Sequence, residues 1–421
     1  MGGATGLGGA SDGGAPSSSC EFSISSSMSE VISTVGIIEW SVGGTVQSAR
    51  VEFGLDTNYG MTAPVDLAEP GYRTLLLGMK GGRDYHYRVV ASVDGQECAS
   101  EDGTLSTGEI PNSIERPEIS TPLPAQLSGG YLITGRWGDG NRGPSFILDV
   151  DGDVVWWYPA PDDVMRTRFS YDGKWMWMRN TAQTNGTGLV RRVTLDGLVE
   201  EEFRVPTSTH DLAVLPDGHL GLIAHAAEGC DEILDFDPAD GSSVSIFNAS
   251  EAHGASSCHV NFLAYSEHDD TFVFSDWETS SFVKITRQGE LVWVLNGTAS
   301  DFTGTSWLRQ HAMHMFEPNH FVMFNNGDIG QDSFVLEYTL DLNSWTANEL
   351  WRYDAGISAS FGGDVQRMDN GNTVISYSSA GVIQEVTATG DLVQEMVWPI
   401  GYAVSYIVKR DSLYGGPPPR L

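Results

Sequence analysis

The chain has 421 residues, with 23 Lys and Arg against 56 Asp and Glu, so its formal net charge is −33. That length holds two or three domains, or one large repeat domain with a small companion. Charge of this sign excludes nucleic acids and anionic membrane surfaces as partners, because phosphates would be repelled; it suits a secreted protein kept soluble by its surface. The first residues, Met1-Gly-Gly-Ala-Thr-Gly-Leu-Gly-Gly-Ala10, show neither a basic nor an apolar export region. The expectation is that an export signal has been removed and that 1–19 is a flexible Gly/Ser tether, of the kind that follows a lipoprotein anchor. No stretch approaches the ~20 apolar residues of a membrane helix, so no integral span is expected. The four cysteines at 20, 98, 230 and 258 form no CxxC pair. Zinc ribbons and thioredoxin-type redox chemistry are thereby disfavoured. Two local disulfides, Cys20–Cys98 and Cys230–Cys258, are the natural pairing in an oxidising periplasmic, cell-surface or extracellular space.

Residues 20–108 read as a small β-sandwich. Short strands appear at Val35-Gly-Ile-Ile-Glu-Trp40, Ser48-Ala-Arg-Val-Glu-Phe53, Tyr72-Arg-Thr-Leu-Leu-Leu77 and Tyr85-His-Tyr-Arg-Val-Val-Ala91, separated by Gly- and Asp-containing turns. With Val51-Glu-Phe-Gly54 and Tyr85-His-Tyr-Arg-Val89, the segment resembles a fibronectin type III or immunoglobulin-like module. Such modules space or support a neighbour, and His86 within it reads as a packing residue. Pro111, Pro117, Pro122 and Pro124 then mark 109–128 as an extended linker.

From 129 to about 415 the chain repeats itself. One phrase is a strand, an Asp- or Gly-containing turn and a second apolar strand: Ile147-Leu-Asp-Val-Asp-Gly-Asp-Val-Val-Trp-Trp157, Val283 to Trp293, and Ile383 to Val393. The other is a strand–turn–strand such as Leu212-Ala-Val-Leu-Pro-Asp-Gly-His-Leu-Gly-Leu-Ile223 or Val365 to Ile375. Together they make a four-stranded blade. The fold class read from this is all-β, a six-bladed β-propeller after a small sandwich. Blades are expected near 129–160, 161–206, 207–254, 255–305, 306–357 and 358–399, with Tyr402–Lys409 closing the ring and almost no helix. Asp149-Val-Asp-Gly-Asp153 lacks the terminal Glu and flanking helices of an EF-hand loop and reads as a hairpin turn. Asn185, Asn248 and Asn296 begin glycosylation sequons, which matter only in a eukaryotic host.

Three histidines occupy one position of the repeat: Thr209-His210-Asp211-Leu212, Cys258-His259-Val260-Asn261 and Gln310-His311-Ala312-Met313. They are roughly fifty residues apart, one repeat each. Each opens an apolar strand before a turn, so radial stacking would gather them at one rim of the axis. The return strands end at the same rim with His225, Asp276-Trp277 and Asn325-Asn326. Asp364 opens the sixth blade after Gly362-Gly363, while the second blade offers Arg166, Arg168 and Arg179-Asn180. His219, His253, His268, His314 and His320 fall on turns, loops or the opposite strand face and read as structural.

The runs around these histidines resemble those of bacterial arylsulfate sulfotransferases, secreted six-bladed propellers. The similarity is carried by Thr209-His-Asp-Leu-Ala-Val-Leu-Pro-Asp-Gly-His219, Cys258-His-Val-Asn-Phe-Leu-Ala-Tyr265, Gln310-His-Ala-Met-His314, Phe324-Asn-Asn-Gly327 and Gly363-Asp-Val-Gln-Arg-Met-Asp-Asn-Gly-Asn-Thr373. It implies transfer of a sulfuryl group between phenolic compounds, with a small aromatic substrate, a transiently sulfated histidine and no cofactor. Motif matching puts the nucleophile at His311 and the assisting pair at His210 and His259. Substrate contacts are expected from Arg166, Arg179, Asn325, Trp277 and Asp364. The sequence departs from the family at Ser275-Asp276-Trp277-Glu278, where an arginine should follow the serine; Arg166 or Arg179 would have to replace it.

The residues alone leave two other readings. Three histidines from separate blades suit a divalent transition metal, Zn²⁺ foremost with copper or iron also served, held by His210, His259 and His311. Asp211, Asp276 and Asp364 would then orient the rings, and lyase or hydrolase chemistry would follow. The remaining reading is a non-catalytic propeller whose pocket binds a ligand or partner.

Overall fold

The computed structural model describes residues 20–137, 143–159, 163–180, 187–226, 229–254, 258–328 and 330–415. The tether read at 1–19 and the sequon at Asn185 lie outside them. Regular structure is almost entirely strand, with one short helix at Ser250–His253 and three single 3-10 turns among the described residues.

The chain divides into two compact units. Among the described residues the first holds 20–26 with Ile38–Thr74 and Tyr85–Leu105. Its largest sheet is antiparallel and built on Val46–Gly54 and Asp84–Val93. Alternation along Asp84–Val93 buries Tyr85, Tyr87, Val89 and Ala91, which face the core with Val51, Phe53 and Ala63. Cys20 and Cys98 are joined by a disulfide in this unit.

The second unit takes Ser27–Ile37, Leu75–Asp84 and the chain from Ser106 onward. The linear boundary read at 108 is therefore not a spatial one. Ile32, Val35 and Leu77 belong to the same apolar cluster as Val154 and Trp156, and Thr34 Oγ1 donates to the Val155 carbonyl at 2.7 Å. Lys80 sets its ammonium among Asp149, Asp151 and Asp153 at 3.0, 2.7 and 2.9 Å. The turn read at 149–153 is thus a hairpin closed by a lysine, and the acids have their cation.

Six antiparallel sheets follow in chain order, a β-propeller arrangement. Their first strands are Tyr131–Trp137, Val164–Phe169, Ser208–Val214, Val260–Ser266, Gln310–Glu317 and Asp364–Arg367. First strands of successive sheets pack on one another, which places them innermost. Second strands such as Leu220–Ala224 and Thr373–Tyr377 are buried on both faces because a sheet lies on each side. Trp156 and Trp293 fill the spaces between sheets at 1% exposure; such burial stabilises by about 1.5–3 kcal/mol per large side chain.

Both chain ends of this unit contribute to closure. Val408–Arg410 pairs with Tyr131–Ile133, and Ala403–Val404 with Arg136 and Trp137, so the segment near 402–409 joins the first sheet as its sequence suggested. At the other end Glu118–Ser120 adds an outer strand to the last sheet, against Glu395–Val397. The Pro-rich linker is thus partly a strand, because the proline-free stretch between Pro117 and Pro122 keeps its amide donors. These additions cover two sheet edges.

Candidate functional site

His210 and His311 sit within breaks in strand pairing, and His259 lies just before one. The register shifts between Thr209 and Leu212, between Val260 and Phe262, and between Gln310 and Met313, at the mouth end of three consecutive inner strands. A fourth shift, between Val164 and Arg166, falls at the same place in the preceding sheet. Bulges of this kind re-aim side chains that a regular pleat would send sideways. His210 itself has φ of 49°, a left-handed conformation unusual for a residue with a Cβ. Similar heights on neighbouring sheets bring the rings together: the His210 and His259 centroids are 4.8 Å apart at 64°, and His259 packs on Trp277 at 5.6 Å.

Burial keeps these imidazoles neutral. Desolvation holds His210 well below its usual pKa, helped by the closeness of two further imidazoles, His259 and His311, and it lowers His259 as well. His311 is pushed down to about 4, chiefly by burial. Its tautomer follows from its neighbours. Asn326 donates through Nδ2 to the Ala359 and Gly362 carbonyls at 2.9 and 2.8 Å, which turns Oδ1 toward the ring. His311 Nδ1 therefore donates to Oδ1 at 2.5 Å, and the lone pair lies on Nε2. That nitrogen accepts the Gly362 N–H at 3.2 Å. Gly362 and Gly363 have φ of 67° and 121°, and a Cβ on either would strike Ser378 and Trp137 or the Phe324 ring, so only glycine lets this backbone approach the histidine. His210 Nδ1 is held by Thr209 Oγ1 at 2.8 Å. His225 joins the cluster, tied to Asp231 through Nδ1 at 2.7 Å.

The two candidate arginines are paired in strand register yet meet different fates. Arg166 is 2% exposed and grips Asp211 with Nε and Nη2 at 2.7 and 2.9 Å, and Asp364 with Nη1 at 2.9 Å. Its guanidinium lies 4.1 Å from the Tyr406 ring centre. Asp364 also accepts the Ile407 N–H, and Asp211 the Leu263 N–H. Arg166 and Asp364, expected to touch substrate, are instead spent on each other in a knot on the axis. Asp211 is likewise taken by Arg166 and orients no imidazole. Arg179 is 3% exposed and reaches only backbone carbonyls, Leu189 O at 3.1 Å and Ser208 O. Among the described residues it has no carboxylate partner, its Nε is unsatisfied, and burial lowers its pKa to about 10. Its charge is felt at His210.

Other expectations shift by one residue. Asn326 holds His311, whereas Asn325 is buried with its Oδ1 unpartnered and pairs in the ladder with Gln310. Asp276 accepts the backbone N–H of His259 at 3.0 Å and lies 2.9 Å from His253 Nε2, so it anchors backbone rather than the His259 ring. Trp277 is in the site, with Arg309 over its ring at 4.8 Å. Arg309 was not anticipated, although it directly precedes Gln310-His311. The clusters of acid, Cys and His atoms lying within 4.8 Å of one another are His253/Cys258/Asp276 and Asp149/Asp151/Asp153. A tetrahedral zinc needs nitrogens roughly 3.4 Å apart. Among the described residues the three imidazoles as arranged form no such set, Cys258 is joined to Cys230, and Lys80 fills the acid trio.

Residues 232–398 match a family model described as arylsulfotransferase (ASST). His259, His311, Asn326 and Trp277 fall inside that match; His210 and Arg179 precede it. No curated protein matches the chain. Similar solved structures include TolB from Acinetobacter baumannii, at 12% identity and a TM-score of 0.49, covering 79% of this chain and 80% of that one. A protein of unknown function from Bacteroides caccae has 15% identity, covers 66% and 98%, and has a TM-score of 0.48. A putative 6-phosphogluconolactonase from Bacteroides fragilis has 9% identity, covers 86% and 98%, and has a TM-score of 0.43.

Proposed function

We propose that this chain, with its arylsulfotransferase-family domain over 232–398, moves a sulfuryl group from one phenolic oxygen to another by way of His311. The observation that carries the reading is the crowding of neutral imidazoles beside Arg179, a buried guanidinium that no carboxylate among the described residues satisfies. A sulfate ester spreads negative charge over its oxygens, and transfer depends on positioned cations and donors more than on elaborate covalent chemistry. Arg179 supplies the cation that the Ser275-Asp276-Trp277 stretch lacks.

In the first step the His311 Nε2 lone pair attacks sulfur while the S–O bond to the donor breaks, and the donor leaves as a phenolate. Nε2 gives up the Gly362 N–H in doing so, and that donor is freed toward a sulfuryl oxygen. The Nδ1–H stays hydrogen-bonded to Asn326 Oδ1, whose dipole stabilises the positive charge that the sulfated ring itself carries. In the second step a neutral imidazole, His210 or His259, takes the acceptor's phenolic proton. The acceptor oxygen then attacks sulfur and the N–S bond breaks, restoring His311. Trp277, braced by Arg309, offers an aromatic wall for the phenolic ring. The route needs no cofactor. The two disulfides, and the absence among the described residues of a helix long and apolar enough to cross a membrane, are compatible with an extracellular or periplasmic setting.

The test is nitrophenol release from para-nitrophenyl sulfate with phenol as acceptor, followed by mass spectrometry of the quenched protein. Wild type is expected to release nitrophenol and to carry a sulfuryl adduct on the His311 peptide; His311→Ala should show neither. An adduct on another histidine, or full turnover by His311→Ala, would overturn the assignment.

A further inference from the structure

The inner strands that begin with histidines end, at the opposite mouth, around a cavity of about 750 Å³. From His210 to Val214, or from His259 to Ser266, is on the order of 13–23 Å along a strand. The axial knot at Arg166 lies between, and it draws side chains or backbone from the strands of Arg166, Asp211 and Asp364 and from Ile407. This cavity is therefore not an extension of the histidine cluster.

Its floor is Arg168. A strand's period of two puts Arg168 on the same face as Arg166, one layer further from the histidines. Its nearest carboxylate oxygen, on Asp211, is 3.9 Å away and already bound by Arg166. Nη2 makes one long bond, 3.4 Å, to the Leu263 carbonyl, and Nε is buried without a partner. Desolvation and the adjacent Arg166 charge lower its pKa to about 10. The walls include Tyr171, Tyr265, Trp293 and Phe316. Of the acids at the rim, Asp269 is paired with Lys284 at 2.5 Å and Glu317 with His320 at 3.2 Å. Glu267 has no ion-pair partner among the described residues, and it favours a ligand whose outer end is uncharged.

We propose that this cavity is a second ligand site, for a small aromatic anion whose ring lies among the aromatic walls and whose carboxylate or sulfate group meets Arg168. A volume of this size accommodates a ligand of one or two rings, and a planar guanidinium with few partners is suited to a planar or tetrahedral oxyanion. The inference does not depend on the sulfuryl-transfer reading.

Titration calorimetry on the full chain tests it, with para-nitrobenzoate, para-nitrobenzenesulfonate and neutral para-nitrobenzamide as probes. The anions are expected to bind, and the amide to bind about tenfold more weakly or less. Arg168→Met should weaken the anions by about tenfold or more, while the same change at Arg204, 72% exposed and outside the cavity lining, should leave them unchanged. A stronger sulfonate than benzoate assigns a sulfate-bearing ligand, and the reverse a carboxylate; either supports the site. Should Arg168→Met fail to fold, Tyr171→Leu decides, with weakened anion binding expected at unchanged thermal stability. No heat from either anion, equal binding of the amide, indifference to the Arg168 or Tyr171 change, or loss of binding in Arg204→Met would overturn the proposal.

Discussion

Arg166 and Arg179 face each other across one strand pair, both are buried, and replacing each by Met should have opposite consequences. Arg166 is held charged: burial alone would depress its pKa, and Asp211 and Asp364 more than reverse that. Arg166→Met leaves two buried carboxylates without their cation and should cost about 3–5 kcal/mol. For Arg179, the fall to about 10 means that burial disfavours the cation by on the order of 3 kcal/mol. Arg179→Met removes that penalty but leaves the Leu189 and Ser208 carbonyls without a donor, at about 1–3 kcal/mol each. The two effects nearly cancel, and stability should stay within about 2 kcal/mol of wild type. Turnover of an aryl sulfate should nevertheless fall about 10²–10³-fold, the usual cost of deleting a donor aimed at developing charge. Urea unfolding at pH 7 and nitrophenol release measure the two quantities on the same preparations. Should Arg179→Met prove the less stable variant, or turn over at the wild-type rate, the division of labour between these residues is refuted.

The His311 ring makes stability depend on pH. Its folded pKa lies near 4, below the ordinary value of 6.5, so protons favour the unfolded chain. The contribution is complete above pH 6.5 and is lost as pH falls toward 4, up to about 3 kcal/mol. His311→Gln should flatten the urea midpoint across that window relative to wild type. Asn326→Leu removes the acceptor that fixes the His311 tautomer. It should lower kcat by about 10–100-fold with little change in KM, and an unchanged kcat would show the contact to be idle. Replacing Cys230 and Cys258 by Ser opens a loop with a sequence separation of 28. It should lower stability by about 3–4 kcal/mol, read from denaturant midpoints.

The sheets were legible because their signals are local: a turn such as Pro216-Asp217-Gly218 between apolar runs says strand–turn–strand without reference to anything distant. The histidine rim was legible for a related reason, since one position in each repeat maps to one height on the axis. Assigning roles to the polar residues around it was harder. Arg166, Arg168 and Arg179 look alike in the chain, and only three-dimensional pairing shows that Asp211 and Asp364, from remote sheets, both go to Arg166. Asn325 and Asn326 differ by one residue, which in a strand means opposite faces, and the bulge between Gln310 and Met313 decides which one meets His311. A bulge leaves almost no trace in composition. The joining of Ile32 and Leu77 to the second unit's core was equally hidden, because contact between distant segments has no period.

The knot at Arg166, drawn from the inner strands of three sheets and the Ile407 backbone, plugs the axis between the histidine cluster and the Arg168 cavity. On the sulfuryl-transfer reading, a substrate that reaches the histidines has no passage onward along the axis past Arg166. Its leaving fragment must withdraw through the same opening before a successor can come in, which imposes alternating occupancy on any two-substrate reaction run there. Crowding by the second partner should then slow the first, by simple obstruction at a shared threshold.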